Sequence, residues 1–273
     1  MAAVQRPDGV ELALHEQGEG PLVMLAPYWS GHPGVFEAFL SDLARDHRIV
    51  TWDARGTGES TRAGPYDNET DCADLEAMLD HVGGANAVVA VANGCNAAVH
   101  VAARRQDLIG AVAAFGAGPF ARMDFADSEA MIGSDSVIAA FLEMLQRDYR
   151  GALRTVVTAT NTQMSEEEIR DRVDFQTSYC PQEAAIARVR EWADDDPTQA
   201  AAAIGDRLWI FSAPGVAGPW LPPLEERRRI IQRVMPDANL YDIDEDMGPV
   251  SRPDVIAAAI RRVTQSVQLE SER

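Results

Sequence analysis

The stretch that most restricts this chain runs from Asn86 to Arg105, NAVVAVANGCNAAVHVAARR. Val88, Val89 and Val91 form a β-branched apolar run, which stops at Asn93-Gly94, and a helix of small residues starts at once. A buried strand that turns directly into a helix leaves one residue at the edge of a sheet, at a helix N-terminus. Such a unit calls for a parallel sheet whose faces are covered by helices. No serine stands in the turn. The first side chain there that can attack a carbon centre is Cys95.

The rest of the chain supplies the neighbouring units. Asp8-Gly9 is a hairpin dipeptide, and Val10, Leu12 and Leu14 alternate as a half-buried strand. Pro21 to Ala26 is a continuous apolar run that suits a strand buried on both faces. After the loop Pro27-Tyr-Trp-Ser-Gly-His-Pro-Gly34, Phe36, Phe39, Leu40 and Leu43 fall at helical spacing. Arg48 to Trp52 is a strand that enters the glycine-punctuated turn Asp53 to Ser60. Asn68 is an N-cap candidate for the stripe Leu75, Met78, Leu79 and Val82, closed by Gly83-Gly84. Leu108 to Phe115 is a further strand.

From about Gly118 to Gly205 no strand pattern appears. Val137, Phe141, Leu142 and Leu145 make one helical stripe, and Ser165 to Glu168 is a capping box with Ile169 and Val173 behind it. Ile186, Val189 and Trp192 make a third stripe, and Pro197 opens an alanine-rich helix ending at Gly205. The βα rhythm then resumes with strands over Arg207–Ala213 and Asn239–Ile243 and helices over Leu224–Val234 and from Pro253. This organisation divides the chain into a core (residues 1–117 and 206–265), a helical cap or lid (118–205) and a polar tail (266–273).

Composition narrows the function classes. A net charge of −19, spread along the whole chain, disfavours nucleic acid and anionic membrane surfaces as partners. No apolar run approaches the roughly 18 residues of a membrane span, and residues 1–10 lack a signal-peptide core. Cys72, Cys95 and Cys180 are an odd set without metal-ligand spacing, which fits a reducing, cytoplasmic setting. The expected partner is a small-molecule substrate or ligand. Neither cofactor nor metal is read from the sequence, and the oligomeric state is left open, a homodimer included.

Four pieces resemble the α/β-hydrolase superfamily, over nearly the whole chain. DGVELALHEQGEGPLVMLAP is similar to its first hairpin and central strand. VTWDARGTGES is similar to its Asp-x-Arg-Gly-x-Gly-x-Ser turn. NETDCADLEAMLDHVGGANAVVAVANG is similar to the helix and strand before its nucleophile elbow, and SRPDVIAAAIRRV to its last helix. The resemblance implies the α/β-hydrolase fold, a mostly parallel central sheet with helices on both faces and a helical lid insertion.

The family's Ser-His-Asp set does not carry over residue by residue. Counting along the strand places Gly94 where G-x-S-x-G has its serine, and a shift of one places Cys95 there. The loop expected to hold the acid, Pro214 to Trp220, has no carboxylate. The histidine position falls at Asp246 or Met247, and no histidine follows His100.

Several readings follow. Cys95 is a nucleophile with a pKa lowered by the helix N-terminus, or a small buried residue. His32 is a base, or a loop histidine facing water. Glu245 and Asp246 offer a carboxylate base or are solvated. The Trp29 N–H is an oxyanion donor, or Trp29, like Tyr28, only walls the pocket. Asn93 and Asn96 bond a ligand carbonyl or the turn's own backbone. Asp53 and Arg55 read as a loop-tying pair, and Arg227 to Arg229 as the wet face of a helix. Two functions stand: a divergent enzyme acting on a small ester, thioester or lactone with a non-standard site, or a degenerate member that binds a small apolar ligand under its lid without turnover.

Overall fold

The computed structural model describes residues 2–116, 134–161, 164–212, 222–243 and 252–271. Eight strands form one sheet: β1 (Ala2–Gln5), β2 (Glu11–Gln17), β3 (Leu22–Leu25), β4 (Arg48–Trp52), β5 (Ala85–Val91), β6 (Ile109–Phe115), β7 (Leu208–Ser212) and β8 (Asn239–Asp242). Their order is β1-β2-β4-β3-β5-β6-β7-β8. The β1–β2 and β2–β4 pairs are antiparallel and every other pair is parallel. The central strands β3, β5 and β6 read as near-continuous apolar runs because both of their faces are covered.

One face packs on α2 (Asn68–Val82) and α3 (Gly94–Arg104), and the other on α1 (Glu37–Leu43) and α10 (Pro253–Ser271). Helix α2 starts from Asp67, whose carboxylate accepts from the Thr70 N–H, so the cap lies one residue before the expected Asn68. It stops at Gly83, left-handed at φ +84°. Helix α10 continues to Ser271, through most of the segment expected as a ragged tail.

The segment after β6 is helical wherever it is described. It comprises α4 (Asp135–Arg147), α5 (Tyr149–Thr160), α6 (Glu166–Tyr179), α7 (Gln182–Asp194) and α8 (Thr198–Ile204). Both bonds of the Ser165–Glu168 capping box are present. Helices α4 to α7 share their own apolar cluster, built on Leu145, Leu153, Val157, Ile169, Val173 and Val189. Ala201 and Ile204 of α8 instead join the sheet's core, so the lid as a packing unit ends with α7. A final helix, α9 (Leu224–Val234), precedes β8. Its Arg227 is 2% exposed, which corrects the wet-face reading at that residue, whereas Arg229 is exposed and Arg228 pairs with Glu225 and Asp242. Among the described residues no helix is long and apolar enough to cross a membrane.

Candidate functional site

Strand β5 ends at Val91 and α3 begins at Gly94, so Ala92 and Asn93 alone make the turn. Ala92 carries φ +49°, a left-handed value that an L-residue adopts at a cost of about 1 kcal/mol. Asn93 is already helical at φ −62°. The turn is held by Ala92 N–H to Phe115 O (3.1 Å) and Cys95 N–H to Ala92 O (3.0 Å). Gly94 is required by close packing, since a Cβ there would lie 2.5 Å from Pro27 O at the end of β3. A nucleophile elbow puts its nucleophile on the strained residue between strand and helix. The register is therefore Ala90-Val-Ala92-Asn-Gly94, and the tip is Ala92. This corrects both sequence registers, which placed the tip at Gly94 or Cys95. The signal was there to be read: Gly94 is the glycine after the tip, two residues beyond it, and the strained residue is an alanine.

Cys95 is 0% exposed and sits in the core cluster, its Sγ 3.7 Å from Phe115 O. Burial pushes its pKa up to about 12, so the thiol stays protonated near pH 7. Desolvation wins over the helix N-terminus, and the nucleophile reading fails on this geometry.

The loop after β3 also departs from expectation. The Trp29 N–H donates to Asn93 Oδ1 at 2.6 Å, so the expected oxyanion donor is already taken by the turn's own asparagine. The indole Nε1–H of Trp29 donates to Ala185 O of α7 (2.9 Å), and its ring meets Phe141 of α4 at 5.7 Å. Trp29 is thus a core-to-lid strut. Tyr28 packs against Phe36, and a Cβ on Gly31 would collide with its ring. Asn96 donates from Nδ2 to Asp195 Oδ2 (2.8 Å), an acceptor it shares with His100, which ties α3 to the end of the lid. Asp246 and Met247, with the loop Pro214 to Trp220, lie outside the described residues.

Below the turn lies a cavity of about 30 Å³ bordered by Trp52, Asp71, Asn93, Gly94, Ala97 and Arg188. Among the described residues that space has room for about one water. Arg188 of α7 crosses this space to pair with Asp71 and to donate to Arg55 O (3.0 Å).

His32 is placed elsewhere. Its Nδ1 accepts from the Gly34 N–H (2.9 Å), so the neutral ring carries its proton on Nε2. Its ring stands edge-on to Phe175 and Tyr179 of α6, with centroids 4.8 and 5.0 Å away. Partial burial lowers its pKa. His32 lines an open cleft together with His15 and Asp53, two adjoining parts of which measure about 380 and 410 Å³. It does not meet Cys95. Asp53 and Arg55 are not a pair either. Asp53 accepts from the Tyr179 hydroxyl (2.6 Å) and the Glu59 N–H (2.9 Å), whereas Arg55 forks onto Asp74 and reaches Asp8.

With this geometry in hand, similarity to known proteins can be placed. Residues 21–173 match the family model described as alpha/beta hydrolase fold. No curated protein matches the chain. Among solved structures, a bromoperoxidase from Bacillus anthracis superposes with a TM-score of 0.79 at 17% identity, over 97% of this chain and 99% of that one. An esterase from Exiguobacterium antarcticum gives 0.77 at 14% identity, over 97% and 99%. The enol-lactonase from Burkholderia xenovorans LB400 gives 0.75 at 19%, over 94% and 97%. At these identities the likeness is one of fold.

Proposed function

The chain belongs to the α/β-hydrolase fold family, and from that membership we propose that it binds a small carbonyl compound under its helical lid without forming an acyl-enzyme. The observation that carries this reading is Ala92 at the strained tip of the elbow, where a methyl group stands in place of a nucleophile. Three further facts agree with it. Cys95 is sealed in the core, the Trp29 N–H is spent on Asn93, and no histidine follows His100 in the sequence. The ligand class follows from the fold neighbours, among which are esterases and an enol-lactonase. On one fold, binding and chemistry are separable, so a ligand site can outlast its attacking group.

A panel of small esters, thioesters and lactones tests the reading through melting temperature and product assay together. At 100 times its Kd a bound ligand adds about 2.7 kcal/mol of stability. The reading expects such a rise with no product over a long incubation. Turnover that disappears in Asn93→Ala or Trp29→Phe would overturn it.

A further inference from the structure

A second group of residues, away from the elbow turn, has chemistry of its own. Strand β2 is antiparallel to β4 with His15 opposite Thr51, which brings His15 beside the turn that leaves β4. There His15 Nε2 lies 4.0 Å from Asp53 Oδ2 and 3.7 Å from Glu59 Oε2. All three donor atoms fall within 4.8 Å of one another. In the sequence His15 lies on a hairpin strand rather than at the C-terminal end of a parallel one, where sites of this fold class form.

We propose that His15, Asp53 and Glu59 bind one divalent first-row transition-metal ion of the Zn²⁺ class. One imidazole and two carboxylates are a donor set such ions accept. Bonds of about 2.0–2.1 Å in tetrahedral geometry put donors about 3.3 Å apart, so the observed spacings must contract by roughly 0.4 to 1.5 Å. The half-exposed side chains of His15 and Glu59 supply that movement, while Asp53 is the fixed point. Its carboxylate is oriented by the Tyr179 hydroxyl and the Glu59 N–H, the kind of outer hydrogen bonding that aims a metal ligand. His32 stays a wall, because its Nδ1 is committed to Gly34 and its Nε2 carries the proton. Three protein donors leave the remaining coordination positions facing the cleft, which has room for water or a small anion. Tyr179 belongs to the lid, so an ion at Asp53 also sits on the seam between lid and core.

The test uses the full chain stripped with EDTA and titrated with Zn²⁺ against a chromophoric chelator, with Co²⁺ absorption as a second readout. The expected result is one ion per chain, with affinity falling at least tenfold in both His15→Gln and Glu59→Gln. Both side chains are half-exposed, so these variants keep the fold. His100→Gln, at the partly buried His100–Asp195 contact away from this group, leaves the affinity unchanged. Absence of stoichiometric binding would overturn the proposal. So would binding that survives in His15→Gln and Glu59→Gln, or that is lost in His100→Gln.

Discussion

Ala92 pays about 1 kcal/mol for its left-handed backbone, and glycine would not. Ala92→Gly is therefore expected to leave stability unchanged or raise it by up to about 1 kcal/mol, and Ala92→Val to lower it by more than that. Urea unfolding of the two variants checks the sign. The three thiols give a second expectation at this scale. Cys72, Cys95 and Cys180 are all buried, and burial raises each pKa. None should react with a thiol reagent at neutral pH in the native state, and all three should react in urea; rapid native labelling of Cys95 alone would contradict its placement. His32 supplies the third. Its folded pKa lies below the ordinary histidine value of about 6.5, so the unfolded chain takes up the proton first. Its contribution is intact above about pH 6.5 and is lost as pH falls toward the lower folded value. The melting temperature of His32→Asn should fall less than that of the wild type across this window. Residue chemistry was the least legible level in the sequence. The motif looks for a serine, whereas the structure marks the tip by its φ, and the position holds an alanine that no side-chain search would flag.

At the scale of elements, the sequence was most legible where one face is buried and the ends are capped. Helix α9 and strand β4 fall on their expected residues, and the Ser165 capping box forms as read. Helix α5 is not legible in the sequence because YRGALRTVVTAT carries five β-branched residues and a glycine. It forms because Ala152, Leu153 and Val157 pack into the lid cluster and Asp148 caps its first turn. Tertiary burial overrode weak local propensity. The seam between lid and core was also unreadable, since each of its bonds joins residues far apart in sequence. Trp29 to Ala185 and Tyr179 to Asp53 are examples. Trp29→Phe keeps the ring contact with Phe141 but removes the indole bond. It should cost about 1 kcal/mol and speed proteolysis within residues 134–194, as followed by mass mapping.

The described sheet is parallel except for β2, which pairs antiparallel with β1 and β4 at one edge, and a buried ionic knot holds that edge to the rest. Arg55, 1% exposed, forks onto Asp74 and reaches Asp8, and Arg6 joins the same carboxylate. The bond to Asp74 holds the guanidinium charged well above its ordinary pKa. Arg55→Ala would leave buried Asp74 with Arg6 as its remaining ion-pair partner among the described residues, at a cost of up to about 3–5 kcal/mol in urea unfolding. The alternation of strands and helices announced this architecture, and the Asp-x-Arg-Gly turn located Arg55, although its partner proved to be Asp74 rather than Asp53. The tip of the elbow is a methyl group, and the proposed function requires that no side chain there takes up an acyl group. The chain contains no lysine, so background acylation of side chains is low. Intact-protein mass spectrometry after incubation with p-nitrophenyl acetate, quenched early and late, therefore tests the claim directly. The expected result is the unmodified mass at both times, and a stoichiometric acetyl adduct mapping between Ala92 and Cys95 would overturn the proposed function.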